Sequence, residues 1–140
     1  MKQHDVMIGS RYVPGGGALH WPWPRRLMSS AINGLVRLLL RIPAHDCSGG
    51  YRCYRVSKLR QTNLDHLLSR GYSFQQEMLY RCRQAGCSIG ETPILFENRR
   101  AGASKVNLKE AVRSIAVLVW IGLQSLIGAD DSPAAEIGEI

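Results

Sequence analysis

Arginines placed beside glycines and hydroxyls are the residues of this sequence best suited to chemistry, and that chemistry is the holding of phosphate. Arg11 follows Gly9-Ser10, Arg25 and Arg26 open an apolar periodic stretch with Ser29 one turn further, and Arg99 and Arg100 precede Gly102, Ser104 and Lys105. A guanidinium is a planar fork of donors that matches phosphate oxygens, and the free N–H groups of a helix start favour an anion. Each arginine taken singly reads as a solvated surface charge. Three clusters, all at element ends, read as a phosphate-binding site.

Other polar residues admit two readings each. Asp46, in HDCSGGYR, is placed either to cap the following turn or to act chemically. Gln75 and Glu77 stand at a helix start, where capping and chemistry are equal alternatives. Trp21 and Trp23 flank prolines and could meet a lipid interface or fold back as an aromatic plug. The chain has no GxGxxG, no Walker loop, no Ser–His–Asp arrangement and no zinc-finger spacing. Its four cysteines, Cys47, Cys53, Cys82 and Cys87, form no CxxC pair and read as buried or neutral thiols of a reducing compartment.

The whole chain is basic enough to expect an anionic partner. Its 140 residues carry a net charge of +7, and four of the eleven acids (Asp130, Asp131, Glu136, Glu139) lie in the last eleven residues. Residues 1–128 therefore carry +11, which suits phosphate, nucleotide, nucleic acid or an acidic membrane. Aromatics make up only 7% and are not interleaved with the arginines, which argues against a nucleic-acid stacking platform. The longest apolar stretch, Ile115–Ile127, spans roughly 20 Å as a helix, short of a ~30 Å hydrocarbon core. No signal-peptide pattern opens the chain.

The elements that must position these groups follow from periodicity. Val6–Ser10 reads as a strand, Arg11–Pro24 as a Gly-, Pro- and Trp-rich loop, and Arg25–Arg41 as a helix stopped by Pro43. A turn over His45–Gly50 leads into a strand at Tyr51–Arg55, a short helix from Ser57 and another near Leu64–Ser69. Phe74–Ala85 is an amphipathic helix closed by Gly86, and Ile89–Glu97 a strand whose Pro93 points to a sheet edge. Arg99–Lys105 forms a basic loop, Leu108–Leu126 a long apolar helix, and residues 129–140 a flexible, disordered acidic tail. The class is α/β, with a thin partial sheet and flanking helices.

Five motifs in order resemble the dolichyl-phosphate or polyprenyl-phosphate mannosyltransferases, inverting enzymes of glycosyltransferase family 2 with a GT-A fold. They are D-V-M-I-G-S-R-Y from Asp5, W-x3-R-x3-S-x3-N (Trp21, Arg25, Ser29, Asn33), and D-C-S-G-G-Y-R-C-Y-R from Asp46. G-Y-S-F-Q-Q-E-M from Gly71 and I-G-E-x-P-I-x-F-x-x-R-x-x-G-x-S-K from Ile89 complete them. The resemblance implies that Arg11, Arg25 and Ser29 hold the phosphate of a polyprenyl acceptor. It implies that Arg99, Ser104 and Lys105 belong to a loop closing over the donor pyrophosphate, and that Asp46, Gln75 and Glu77 lie near the catalytic cleft.

The implied reaction transfers a hexose, mannose from GDP-mannose or another nucleotide sugar, to the lipid phosphate. A phosphate monoester is largely dianionic at neutral pH and needs no strong general base. Arginines would position it, while Mg2+ or Mn2+ and basic side chains stabilise the leaving nucleoside diphosphate. The family's nucleotide-binding half, with its Asp-x-Asp metal motif, precedes the segment that matches here, and no Asp-x-Asp occurs in this chain. The expectation is thus an acceptor-side half over residues 1–128 with no metal ligands of its own, inactive alone, at the cytoplasmic face of a membrane without spanning it. A partner chain could supply the N-terminal half. The competing readings are a non-catalytic basic module for a membrane surface or phosphate, and a fragment that does not fold alone.

Overall fold

A computed structural model describes residues 3–62, 64, 67, 69, 73–97 and 115–123. Its centre is β1, Val6–Ser10, which alternates Val6 and Ile8 into the core with Met7 half-buried. β1 is flanked on one side by the antiparallel β3 (Arg52–Tyr54), with Met7 opposite Cys53. On the other side runs the parallel β4 (Ile89–Pro93), with Val6 opposite Ile89 and Ser10 opposite Pro93. In the order β3-β1-β4, Pro93 ends an outer strand, as its missing N–H requires.

Two sequence expectations change here. The expected single strand Ile89–Glu97 is divided at Ile94 into β4 and β5 (Leu95–Glu97). The expected loop Arg11–Pro24 contains a strand, β2 (Gly17–Leu19), which pairs in parallel with β5. One residue, Ile94, joins the two ladders: its N–H donates to the Ser10 carbonyl at 3.0 Å, and its carbonyl accepts the Gly17 N–H at 3.0 Å. Against that single residue the other side makes an excursion over residues 11–16. Gly16 closes it, and a Cβ there would lie 2.4 Å from the Ser10 carbonyl oxygen, so a side chain is excluded.

α1, Trp23–Leu40, starts two residues before the expected Arg25, with Pro24 in its first turn, where no N–H is needed. Asn33, Val36 and Leu40 recur at three- and four-residue steps and are its buried positions. Leu79 and Cys82 of α3 (Phe74–Gln84) join Val6, Ile8, Val36, Leu40 and Ile42 in one core. The short helix expected from Ser57 is α2, Val56–Leu59. Of the helix expected over Leu64–Ser69 only residues 64, 67 and 69 are described, and none of the three is helical.

Residues 115–123 are helical and insert Leu118 and Ile121 into the same core, with Gly122 closely packed on Leu39 of α1. These nine residues do not make the expected long apolar helix, which is not shown; its remainder, the Arg99–Lys105 loop and the acidic tail lie outside the described residues. Among the described residues no helix is long and apolar enough to cross a membrane. Burying one face of α1 leaves the other open: Trp23 is 75% exposed, Leu27 63% and Leu38 77%.

α1 ends at Arg41 in the left-handed conformation (φ 50°, ψ 36°), a geometry that glycine adopts without Cβ strain. Arg41→Gly is therefore expected to raise the free energy of unfolding by about 0.5–1 kcal/mol, measured by urea denaturation. An unchanged or lowered midpoint would show that the arginine side chain contributes more than the strain costs.

Candidate anion-binding site

The excursion after β1 carries Arg11 onto Asp46, in the turn that follows α1. Arg11 donates to the Asp46 carboxylate three times, from its backbone N–H at 3.1 Å, from Nε at 2.7 Å and from Nη2 at 2.7 Å. Nη2 also donates to Ser48 Oγ at 2.8 Å. The Asp46 side chain is fully buried and that of Arg11 is 10% exposed. Asp46 further accepts the backbone N–H groups of Ser48 and Gly49 at 3.3 and 2.9 Å, so it caps its own turn as well. A Cβ on Gly49 would press within 3.2 Å of that carboxylate.

The electrostatics follow from this crowding of donors. Burial pushes the Asp46 carboxyl upward, but the Arg11 hydrogen bonds outweigh it and hold the pKa below the usual carboxylate value. Burial likewise pulls the Arg11 guanidinium down, and Asp46 more than restores it. The turn is fixed from the sheet as well. Glu91 of β4 accepts the backbone N–H groups of His45 and Asp46 at 2.8 and 3.0 Å and the His45 ring nitrogen at 2.8 Å. Burial raises the Glu91 carboxyl, and these bonds with one from the Ser10 hydroxyl bring it below its ordinary value.

A stripe along α1 faces this assembly. The Arg25 guanidinium lies 4.2 Å from the centre of the Trp21 ring, and that of Arg11 lies 5.0 Å from the same ring. Phe96 meets Trp21 edge-on at 5.7 Å. One turn on, Ser29 shares a 2.6 Å hydrogen bond with the Tyr12 hydroxyl; one turn further, Asn33 Oδ1 accepts the Cys47 N–H at 2.9 Å. The W-x3-R-x3-S-x3-N spacing thus sets Ser29 on the excursion and Asn33 on the 45–50 turn along one side of the helix, with Arg25 on the ring of Trp21 before it. α1 begins without a side-chain cap and with no acid in its first turn, which leaves the helix dipole to an incoming anion.

The expected acceptor residues Arg11, Arg25 and Ser29 therefore come together, and Asp46 joins them as the partner of Arg11. Gln75 stands next to the turn: its backbone carbonyl accepts Arg52 Nη1 at 2.5 Å while Arg52 Nη2 donates to Cys47 O at 2.7 Å. Glu77 is fully buried and accepts the Ser69 N–H at 2.7 Å and Arg81 Nη2 at 3.3 Å. Arg99, Ser104 and Lys105 lie outside the described residues. Tyr12, Ser48, Arg52 and Glu91 were not singled out from the sequence; Glu91 reaches its partners across 45 and 46 residues, and no local pattern announces such a contact. Among the described residues no three His, Cys, Asp or Glu side chains gather as a metal site, so no step is derived through a metal here.

No protein-family model matches the chain. Individual proteins do. The chain is 42% identical over 115 residues to the polyprenol monophosphomannose synthase of Mycolicibacterium smegmatis, covering 80% of this chain and 43% of that protein. It is 38% identical over 131 residues to the undecaprenyl-phosphate mannosyltransferase of Micrococcus luteus, covering 89% of this chain and 54% of that protein. The resemblance read from the five motifs is borne out, and the chain spans about half the length of the curated relatives it matches.

The Arg11–Asp46 pair makes a stability prediction with a definite sign. Asp46→Asn leaves a nearly buried guanidinium without its counter-charge and is expected to cost roughly 3–5 kcal/mol in urea denaturation at pH 7. A carboxyl depressed by folding stabilises above its unfolded pKa, about 3.9, and that stability is lost as pH falls through the folded value. The gap between wild type and the variant should therefore narrow as the pH is lowered below about 4. A gap independent of pH would show that the carboxylate's charge is not what matters.

Proposed function

We propose, from the premise that this chain is a relative of the polyprenyl-phosphate mannosyltransferases, that it forms the acceptor side of such an enzyme and holds the phosphate of a polyprenyl monophosphate. One observation carries the reading: Arg11 and Arg25 stacked on Trp21, with Ser29 beside them, at the uncapped start of α1. A phosphate monoester suits this place. It meets the guanidinium of Arg25, the helix start and the hydroxyl pair of Tyr12 and Ser29, and it is a nucleophile already ionised at neutral pH. The site's work is then positioning for in-line attack on the anomeric carbon of a nucleotide sugar, a mannose donor by the names of the relatives and GDP-mannose as the motif resemblance implies.

In this reading Asp46 acts through Arg11, holding its guanidinium at the mouth of the excursion by occupying Nε and Nη2. Gln75 and Glu77 serve the neighbouring cleft from the start of α3. Arg99, Ser104 and Lys105 close over the donor pyrophosphate, and the N-terminal half of the complete enzyme supplies the nucleotide pocket and the Mg2+ or Mn2+ ligands.

The exposed side of α1 completes the proposal. Trp23, Leu27 and Leu38, with the exposed Arg26 and Arg37 beside them, make a face that is apolar in the middle and basic at its edge. Such a face suits the surface of an anionic bilayer, where a lipid phosphate is found.

Arg25→Gln is expected to weaken binding of farnesyl phosphate roughly 10- to 100-fold, the cost of one charge-assisted contact, by isothermal titration. Unchanged affinity removes Arg25 from the acceptor site. Leu27→Glu with Leu38→Glu should reduce co-sedimentation with vesicles containing phosphatidylserine by roughly tenfold or more. Undiminished sedimentation would reject α1 as the membrane face.

A further inference from the structure

Trp21 holds a polar group that meets no partner among the described residues. The residue is 8% exposed, and its indole Nε1–H is unpaired among those residues. Donors buried in this way are paired in folded proteins with rare exceptions, and an orphan asks for an explanation such as a ligand or an ordered water. Several buried polar atoms of the chain share this state, among them Asn33 Nδ2 and Arg52 Nε. Trp21 Nε1 alone among them belongs to a ring that two guanidiniums approach, at 4.2 and 5.0 Å. The negative face of an indole attracts a guanidinium, and one ring here serves two of them. The ring is held in turn by the edge contact with Phe96 and by its place just before the Pro22 cap position of α1.

We infer that Trp21 is a substrate-contacting residue of the anion site, whose Nε1–H donates a hydrogen bond to an oxygen of the bound phosphate monoester while its ring sets the spacing of Arg11 and Arg25. This rests on the acceptor-phosphate reading and adds a neutral donor to the charged ones. A neutral donor has a distinct use. Two guanidiniums alone would hold the nucleophilic oxygens by charge and blunt their attack, whereas an indole N–H fixes an oxygen without adding positive charge. The same residue explains why Trp21 and Trp23, two positions apart, part company: the first is buried in the site and the second stands on the surface.

The test uses the full 140-residue chain, titrated with farnesyl phosphate, inorganic phosphate and farnesol while the indole N–H signals are followed by 1H–15N correlation spectra. The Trp21 signal is assigned by its loss in Trp21→Phe. With either phosphate its proton should move downfield and exchange more slowly with solvent, and with farnesol it should not move. Trp21→Phe keeps an aromatic ring and loses the donor; it should bind farnesyl phosphate roughly tenfold more weakly, with its thermal unfolding unchanged. An indole signal unmoved by saturating farnesyl phosphate, in a chain whose Arg25→Gln variant does lose affinity, overturns the donor role and leaves the site reading intact. An indole signal unmoved by farnesyl phosphate, with affinity unchanged in both Trp21→Phe and Arg25→Gln, overturns both. A shift produced by farnesol alone also overturns the inference, since the ring would then be sensing the prenyl chain. If Trp21→Phe fails to fold, the Trp21 signal is assigned as the one that survives in both Trp23→Phe and Trp120→Phe, and the wild-type titration still decides.

Discussion

A buried ion pair with every oxygen occupied is the constraint on which this site depends. Removing a carboxylate and a guanidinium from water is costly, and the attraction between them repays the cost only when the remaining hydrogen-bonding positions are filled. Asp46 meets that condition through Arg11, Ser48 and Gly49. The pair therefore joins two segments 35 residues apart at one geometry and admits few others. The excursion before it and the turn after α1 are fastened to each other through it.

Around this pair the same device recurs: a side chain fastened to backbone groups of a distant segment. Glu91 takes two successive N–H groups of the 45–46 turn, Asn33 takes the next, and Arg52 ties Cys47 to Gln75. Side chain to backbone bonds of this kind position a loop without demanding regular structure from it. The excursion and the 45–50 turn meet beside α1 because each is bonded to something rigid: β1, β4 or the helix itself. The outcome is a preformed cluster of donors, in which little ordering entropy is left for a ligand to supply.

How much of this was legible in the sequence depends on the distance each signal travels. The core strand and the two long helices announced themselves in apolar periodicity, because burial of one face is a local pattern. Arg11, Arg25 and Ser29 were marked by the glycines and hydroxyls beside them in sequence, whereas Asp46 and Phe96, which lie against Arg11, come from far along the chain. Asp46 was open between cap and chemistry, and the structure gives it the cap together with a partner that no spacing could reveal. β2 was hidden because a three-residue strand of glycine, alanine and leucine has no alternation to read. The fates of Trp21 and Trp23 were hidden for another reason. Two residues at a helix start point to different sides, and which side is inside is decided by Phe96, far along the chain.

The unequal paths between the two small parallel ladders have a consequence for how such a protein can change. On one side Ile94 alone bridges them, and its two backbone bonds fix where each ladder begins. On the other side the chain leaves at Ser10 and returns at Gly17, so its length in between is not part of the sheet's register. Between Arg11 and the glycines that close the excursion, residues can be gained, lost or exchanged without moving a strand pairing. The scaffold and the reading head are separable modules, and a lineage of such proteins can retune what it grips while inheriting its sheet unaltered.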